Sequence, residues 1–393
     1  MTSNITELKQ QINFYFHNTY LAKYPVAIHD MLIHLFNDGK RIRPILFIAF
    51  NHIIDLSGIE TEGNNVLGNT WIEYAIEIEL VHCLSLVIDD LPEMDNEVER
   101  RCKPCFHVVY GLQKTNFFLY YVFTKLSSNL TNLLKFHNNK NNKNHLGTSN
   151  RILNDVSFLI QYLINNLIDG QYIDITSNKL MSSNLQSVID CNIVMIMKVI
   201  MSIYEANTES QNIGKEHSKT IIENHIMLNI KKTGTLFVLP IITGFLFQLY
   251  KKNLEYTGKE IIQDEFYIPN MGNMGNMGNM GNMGNMGNTD NTLDLGDDNM
   301  VNLIITWASL LGFLFQTSDD FLDMDSDSLH NKPNICNIIG VDQSIKLLSK
   351  CTVIIRAMFE YIVKSTSQIW PDVIVNMENV KTIINLIESR YQK

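Results

Sequence analysis

At 393 residues and 45% hydrophobic content, the chain has ample apolar material for a core and room for one large domain or two, so disorder throughout is excluded. A formal net charge of −10 argues against a nucleic-acid surface, which needs a basic stripe. Six cysteines in a chain this long (Cys83, Cys102, Cys105, Cys191, Cys336 and Cys351) make no disulfide framework and point to a reducing interior.

Apolar residues recur at helical spacing along most of the chain, and alternating strand patterns are scarce, so the expected fold is all-α, a large helical bundle. Helices are expected at 4–20 and 26–37. The opening stretch MTSNITELKQQINFYFHNTY lacks the basic and apolar regions of a secretory leader, which leads to the expectation of a soluble, intracellular protein, cytoplasmic or in a plastid-type organelle. Gly39-Lys40-Arg41-Ile42-Arg43-Pro44 then ends one helix and opens another at 43–57, with glycine as terminator and proline in a first turn. Three cations converge there, and arginine forks match phosphate oxygens while lysine supplies a point charge.

The next expected helix, 71–90, runs into the acid segment Asp89-Asp90-Leu91-Pro92-Glu93-Met94-Asp95. Arg100-Arg101 follows closely, with Lys103 and His107 beyond. Cys102-Lys103-Pro104-Cys105 has the spacing of a redox pair or half a zinc site. No second half with ligand spacing occurs elsewhere, so the expectation is two free thiols in a loop. Residues 128–151, rich in Asn and Lys, read as a polar surface insertion. Helices are expected again at 156–172, 185–206 and 221–249.

In the last of these, Lys231-Lys232-Thr233-Gly234-Thr235 interrupts an apolar stretch, and buried polar groups need partners. From Asn270 to Asn288 the triplet Asn-Met-Gly repeats without interruption, so 255–299 is expected to be a disordered insertion. The apolar runs 236–250 and 300–315 fall short of the ~20 residues a bilayer core demands, and read as core helices rather than membrane spans. A helix at 300–321 carries Gln316 and a second acid segment, Asp319-Asp320-Phe321-Leu322-Asp323, and a helix at 341–365 follows.

Read alone, either acid segment is an ordinary solvated helix end. Both, however, emerge from apolar runs, where unpaired charge is expensive, and this implies a lined cavity. In the second segment, spacings of one, three and four gather the side chains toward one side of a helix. Oxygen-only clusters suit magnesium, which keeps several waters and shares its site with substrate phosphates, so two facing clusters could clamp one diphosphate. Thr233 and Gln316 are suited to turn neutral oxygens toward a cationic centre.

These residues carry a resemblance. HCLSLVIDDLPEMDNEVERRCKPCFH at 82–107, with GKRIRP at 39, GQYID at 170, KKTGTL at 231 and QTSDDFLD at 316, resembles the trans-prenyltransferases that make isoprenyl diphosphates, and looks most like geranylgeranyl diphosphate synthases of the bacterial and plastid type. The resemblance implies a single polyprenyl synthase domain over 1–393 with the isoprenoid synthase fold, a helical bundle around a central cavity, interrupted by the two insertions. It implies magnesium held by Asp89, Asp90, Asp95, Asp319, Asp320 and Asp323, and an allylic diphosphate (dimethylallyl, geranyl or farnesyl) touched by Arg100. Lys40, Arg43, His82 and Arg101 would hold isopentenyl diphosphate. Lys232, Thr233 and Gln316 would steady the carbocation, and Lys332 matches a family lysine.

Leu84 and Ser85, five and four residues before Asp89, lack the aromatic bulk of farnesyl-making relatives, so a product of twenty carbons or more is expected. The family is commonly homodimeric. Departures include Cys102 where the family has glycine, Leu119-Tyr120 near its usual Gly-Asp pair, and a short loop MDSDSLHNKP after Asp323. A terpene cyclase would not combine GKRIRP, the arginine pair and a second acid segment. A non-catalytic or regulatory subunit of a heteromeric synthase is the alternative.

Overall fold

The computed structural model describes residues 5–37, 39–51, 66–100, 102–140, 156, 160–161, 163–173, 196–198, 200–202, 204, 215–251, 297–329 and 334–392. Regular structure among them is helical, apart from one antiparallel pair of two-residue strands, Glu99–Arg100 against Lys103–Pro104. The all-α expectation therefore holds. The chain gathers into two compact units: Met1–Ser177, Thr235–Glu255 and Asp372–Asn385 form the first, and Asn178–Gly234, Tyr256–Pro371 and Leu386–Lys393 the second.

In the first unit the Ile42–Asn51 helix is buried along its whole length. It lies against the Thr235–Lys251 helix, and Gly244 makes the close approach possible: a Cβ there would stand 2.7 Å from Phe47 O and 3.2 Å from Phe50 Cβ. Phe247 locks the crossing, with its ring 4.7 Å from Trp71, 5.0 Å from Tyr74 and 6.2 Å from Phe47, spacings at which edge and offset contacts add to area burial. Gln248 Nε2 donates to Phe50 O at 2.7 Å and to Ile374 O at 2.9 Å, and its Oε1 accepts from Ile374 N at 2.7 Å. A buried amide is thus satisfied by three backbone groups.

The Val66–Asp89 helix is buried on every face over 71–81, which forces its glutamates to find partners. Glu73 accepts from Tyr15 and pairs with Lys23, and Glu79 pairs with Arg41 at 3.3 Å. Glu77 Oε1 accepts from Tyr20 at 3.2 Å and from Asn129 at 2.9 Å. Its Oε2 is buried without a partner. Burial pushes the Glu77 carboxyl up to about 8, against the opposing pull of Asn129, Lys23 and Tyr20. These contacts tie the Ile5–Asn18 helix, the turn Tyr20–Lys23 and the Leu112–Lys140 helix to the helix that ends at Asp89.

In the second unit the Asp297–Leu322 helix packs against Val341–Ile369 and against a π-helical turn, Ile230–Gly234. Trp307 is fully buried, donates from Nε1 to Ile355 O at 3.0 Å and stacks on Phe359 at 5.1 Å. Gly312 touches the π turn so closely that a Cβ would lie 2.6 Å from Gly234 Cα. Two glycines facing each other let the turn sit directly on the helix.

The structure also departs from expectation. A helix at Met377–Glu388 follows the last of those picked out from the sequence, and the Leu112–Lys140 helix extends into the 128–151 segment expected to be a loop. Its asparagines lower helix propensity only weakly, and Phe118, Val122 and Leu126 supply a buried stripe that anchors the helix. Residues 141–151, 52–57 of the third expected helix and 255–296 lie outside the described residues. Thr220–Tyr250 and Met300–Leu322 form helical stretches of 31 and 23 residues, longer than the apolar runs and long enough to cross a bilayer. Their most apolar windows are 100% and 78% buried inside the protein, as core helices are.

The hairpin connecting Glu99–Arg100 to Lys103–Pro104 turns through Cys102 at φ 58°, in the left-handed region that glycine adopts freely. Cys102 is exposed and Cys105 buried, both as free thiols. Burial, then the charge of and a hydrogen bond to Asp90, push the Cys105 thiol up to about 12, which suits a structural thiol rather than a redox nucleophile.

Cys102→Gly is expected to raise stability by about 1 kcal/mol by removing that strain, seen as a small rise in melting temperature; a fall would contradict it. For Glu77 the sign follows from a folded pKa of about 8 above the ordinary 4.5. The folded state holds the proton more tightly, so this contribution is full below about 4.5 and is lost as pH rises toward 8. Glu77→Gln should melt above the wild type at pH 9 and converge with it near pH 5; a gap independent of pH would refute this.

Candidate active site

The first acid segment begins where the Val66–Asp89 helix stops. The chain folds back on itself at once: Leu91 N donates to Ile88 O at 3.1 Å, Met94 N and Asn96 N to Leu91 O at 2.9 and 3.0 Å, and Asp95 N to Asp89 O at 2.9 Å. Asn96 closes the turn at φ 53°, a conformation asparagine tolerates. Two aspartates six positions apart are thereby brought side by side on the backbone.

Asp90 is treated differently. It is only 3% exposed, and Arg100 grips both its oxygens, Nε at 2.8 and 2.9 Å and Nη2 at 2.6 Å. Such a fork fixes both side chains. Burial works against the Arg100 charge, but the hydrogen bonds to Asp90 and the charges of Asp90 and Asp89 raise its pKa above the ordinary value. Asp89 is half-buried and accepts from Gln171 Nε2. Gln171 was not among the expected site residues, although it stands in the GQYID motif, which was the signal for it.

The cations of the Gly39–Arg43 turn have different surroundings. Arg41, at φ 60° and 1% exposed, donates to Asn13 Oδ1 at 2.9 Å, to Glu79 and to Phe36 O, with its guanidinium 3.6 Å over the Phe36 ring. It is a structural residue, so the three cations do not converge on one ligand. A Cβ on Gly39 would stand 2.0 Å from the pinned Arg41 Nη1, which explains the glycine. Lys40 is exposed, and Arg43 is buried with its guanidinium 5.4 Å over Phe237. His82 lies half-buried two turns before Asp89, with Leu84 and Ser85 buried beside it. Arg101 and Lys332 lie outside the described residues.

In the second unit the interrupted helix takes the form of a π turn, a geometry that recurs at functional sites because it re-aims side chains. Thr233 Oγ1 donates to Gln316 Oε1 at 2.8 Å, and Gln316 Nε2 donates to Asp320 Oδ1 at 2.9 Å. Asp320 Oδ2 accepts from His225 Nε2 at 3.2 Å and from Ile335 N at 3.4 Å, and Asn334 Nδ2 donates to Asp320 O at 2.6 Å. Lys231 and Lys232 are half-buried on the same turn. His225 was missed from the sequence, since it belongs to no motif; Asn334 was missed although it stands two residues after Lys332 in the segment KPNICNIIG.

The expectation that Asp319, Asp320 and Asp323 share one side is corrected in part. Asp320 turns into the protein, because one residue is a rotation of about 100° on a helix. Asp319 is paired with Arg390 at 2.6 Å, and Asp323 is exposed, with its N donating to Asp319 O at 3.0 Å. Both segments thus divide alike: Asp90 and Asp320 are buried and hydrogen-bonded to the protein, while Asp89 with Asp95, and Asp319 with Asp323, lie further out. Among the described residues no three His, Cys, Asp or Glu side chains come close enough to hold a metal ion. Each segment therefore offers a pair of outer oxygen donors.

The polyprenyl synthetase profile matches residues 25–263 of this chain. A mitochondrial geranylgeranyl pyrophosphate synthase of Arabidopsis thaliana is 42% identical over 77 residues, 20% of each chain, so the matched stretch spans about a fifth of that relative. The geranyltransferase structure from Legionella pneumophila is similar at a TM-score of 0.58 and 16% identity, over 99% of this chain and 97% of that one. A geranyltransferase from Helicobacter pylori, solved with magnesium and isoprenyl diphosphate, is similar at a TM-score of 0.50 and 15% identity, over 99% of each chain. At such identities the structural likeness is one of fold, the isoprenoid synthase fold. With the profile match covering more than half of its length and the acid segments in place, the chain belongs to the polyprenyl synthetase family.

Proposed function

We propose that the protein is a polyprenyl diphosphate synthase, condensing isopentenyl diphosphate head-to-tail with an allylic diphosphate to give geranylgeranyl diphosphate or a longer product. The observation that carries this reading is the shared division of labour in the two acid segments. One aspartate of each is spent on holding the segment in place, and two lie further out.

Magnesium fits these residues, since the donors are all hard oxygens and an ion that keeps several waters needs only one or two carboxylates besides phosphate. Asp89 with Asp95 in the first unit, and Asp319 with Asp323 in the second, would each hold it, and when bound it supplies Lewis-acid stabilisation of the departing diphosphate. The similar Helicobacter protein was solved with that ion. The remaining chemistry falls to the chain's own groups. Arg100, kept charged and aimed by Asp90, faces the allylic diphosphate. Lys40, Arg43, His82 and Arg101 hold isopentenyl diphosphate, so that its double bond meets the allylic carbon with little loss of freedom still to be made up. Lys332 adds a phosphate contact.

Thr233 and Gln316 are hydrogen-bonded to each other and fixed by Asp320. Their oxygens, with Lys232 close by, form a preorganised set of dipoles beside the developing cation. Such dipoles count for more than water would, because they need not reorient. Small and aliphatic side chains at Ser85 and Leu84 leave length for a growing tail. Phe117 and Tyr120, 77% and 72% exposed on the Leu112–Lys140 helix, favour a partner chain on that face, and a homodimer is the reading adopted here. A heteromeric arrangement in which this chain is the regulatory member is the alternative.

Purified protein should turn over isopentenyl diphosphate with an allylic primer only when magnesium is present. Asp89→Ala with Asp319→Ala should lower the rate at least ~100-fold, the scale of losing charge stabilisation in a transition state, without loss of fold. Equal rates for the two proteins would favour the regulatory subunit. Chromatography of labelled products should show chains of twenty carbons or more, shortened by Ser85→Phe. An enzyme that stops at farnesyl diphosphate would overturn the chain-length assignment alone.

A further inference from the structure

Arg390 stands in an unusual place for a cation. Its Nη1 donates to Asp319 Oδ1 at 2.6 Å and to Ser318 Oγ at 2.9 Å, and its guanidinium lies 4.4 Å over the Phe315 ring. Residues 315, 318 and 319 are neighbours on one face of the Asp297–Leu322 helix, so a single side chain reads that face end to end. The placement is held from both sides: Glu388 is paired with Arg356, and buried Tyr391 is hydrogen-bonded through its hydroxyl to Thr352. The Arg390 side chain is 11% exposed and that of Asp319 is 34% exposed.

The contrast with Arg100 is informative. Arg100 takes both oxygens of Asp90 through two nitrogens, a grip that consumes the carboxylate. Arg390 holds one oxygen of Asp319 through one nitrogen, a single-point contact that a stronger cation can replace. Resting on the functional reading above, in which Asp319 is a magnesium ligand, we propose that Arg390 is a built-in cation that occupies Asp319 in the metal-free protein and competes with a divalent ion for that carboxylate. Two cations at one carboxylate repel each other, more so where solvent is partly excluded. The arginine thus weakens metal binding to the free enzyme and makes loading of the second acid segment depend on phosphate arriving with the metal. On release, the guanidinium retains its stacking platform on Phe315.

The test is divalent-ion binding to the protein without substrate, read by electron paramagnetic resonance of added manganese. Arg390→Gln should bind manganese about tenfold more tightly than the wild type, and Arg390→Lys, which keeps the charge, should stay near the wild type. Hydrogen–deuterium exchange on the unmodified protein gives a second measurement that needs no variant: saturating magnesium with inorganic pyrophosphate should speed exchange over 386–392. Equal or weaker manganese binding by Arg390→Gln, or exchange over 386–392 that magnesium and pyrophosphate leave unchanged, overturns the proposal. If turnover nevertheless stays magnesium-dependent, the synthase reading survives this result. If neither protein binds manganese and no turnover occurs, both readings fall.

Discussion

Charge carried on apolar helices is the constraint around which this protein is organised. An ionised side chain inside a core is tolerable only when other groups replace its water. The Val66–Asp89 helix places Glu73, Glu77 and Glu79 within its buried stretch: Glu73 is met by Lys23 and Tyr15 and Glu79 by Arg41, while Glu77, hydrogen-bonded to Tyr20 and Asn129, is pushed up to about 8 by burial and so escapes the cost by holding its proton. These pairings fix how the N-terminal segment and the Leu112–Lys140 helix seat themselves, and so determine where the helix end bearing Asp89 is held. Hydrophobic area supplies the driving force, while the buried carboxyls supply the register.

The same constraint sorts the aspartates at the site. A pair of adjacent aspartates at a helix end cannot present both side chains outward, because successive side chains diverge by about 100°. One member of each pair is therefore turned in and must be satisfied by the protein. Asp90 is satisfied by the Arg100 fork, and Asp320 by His225, Gln316 and the Ile335 amide. Each inward aspartate then acts as an anchor that orients a neighbouring polar group, Arg100 in one segment and Gln316 with Thr233 in the other. On the function proposed for the protein, the inward residues contribute through placement and the outer ones through donor oxygens.

Close backbone approach completes the arrangement. Gly312 against Gly234 lets a π turn rest on the helix that carries Gln316, which brings Thr233 within 2.8 Å of it. Gly39 leaves space for Arg41, whose four contacts brace the turn that presents Lys40 and Arg43. In both cases the absent side chain matters more than the charges next to it, since a methyl group would push against groups that have nowhere to go.

Much of this was legible in the residues. Helical periodicity gave the all-α class, and the acid, basic and Lys-Thr motifs marked the six aspartates, Arg100, Thr233 and Gln316 among the groups at the two acid segments. The helical continuation of the Leu112–Lys140 helix past residue 128 escaped because its asparagine-rich end has the composition of a loop, while the buried stripe that anchors the helix counts only against a neighbouring helix. His225 escaped because a hydrogen-bond partner 95 positions away leaves no local pattern, whereas Gln171 and Asn334 stand in recognisable motifs and only their pairing with Asp89 and Asp320, 82 and 14 positions away, was hidden. By itself the sequence determined which chemistry the chain can carry, because residue type and local spacing decide donors, charges and helical faces. Which aspartate turns inward, which arginine is structural and what Arg390 holds were decided only by tertiary structure, because burial and pairing depend on what packs alongside.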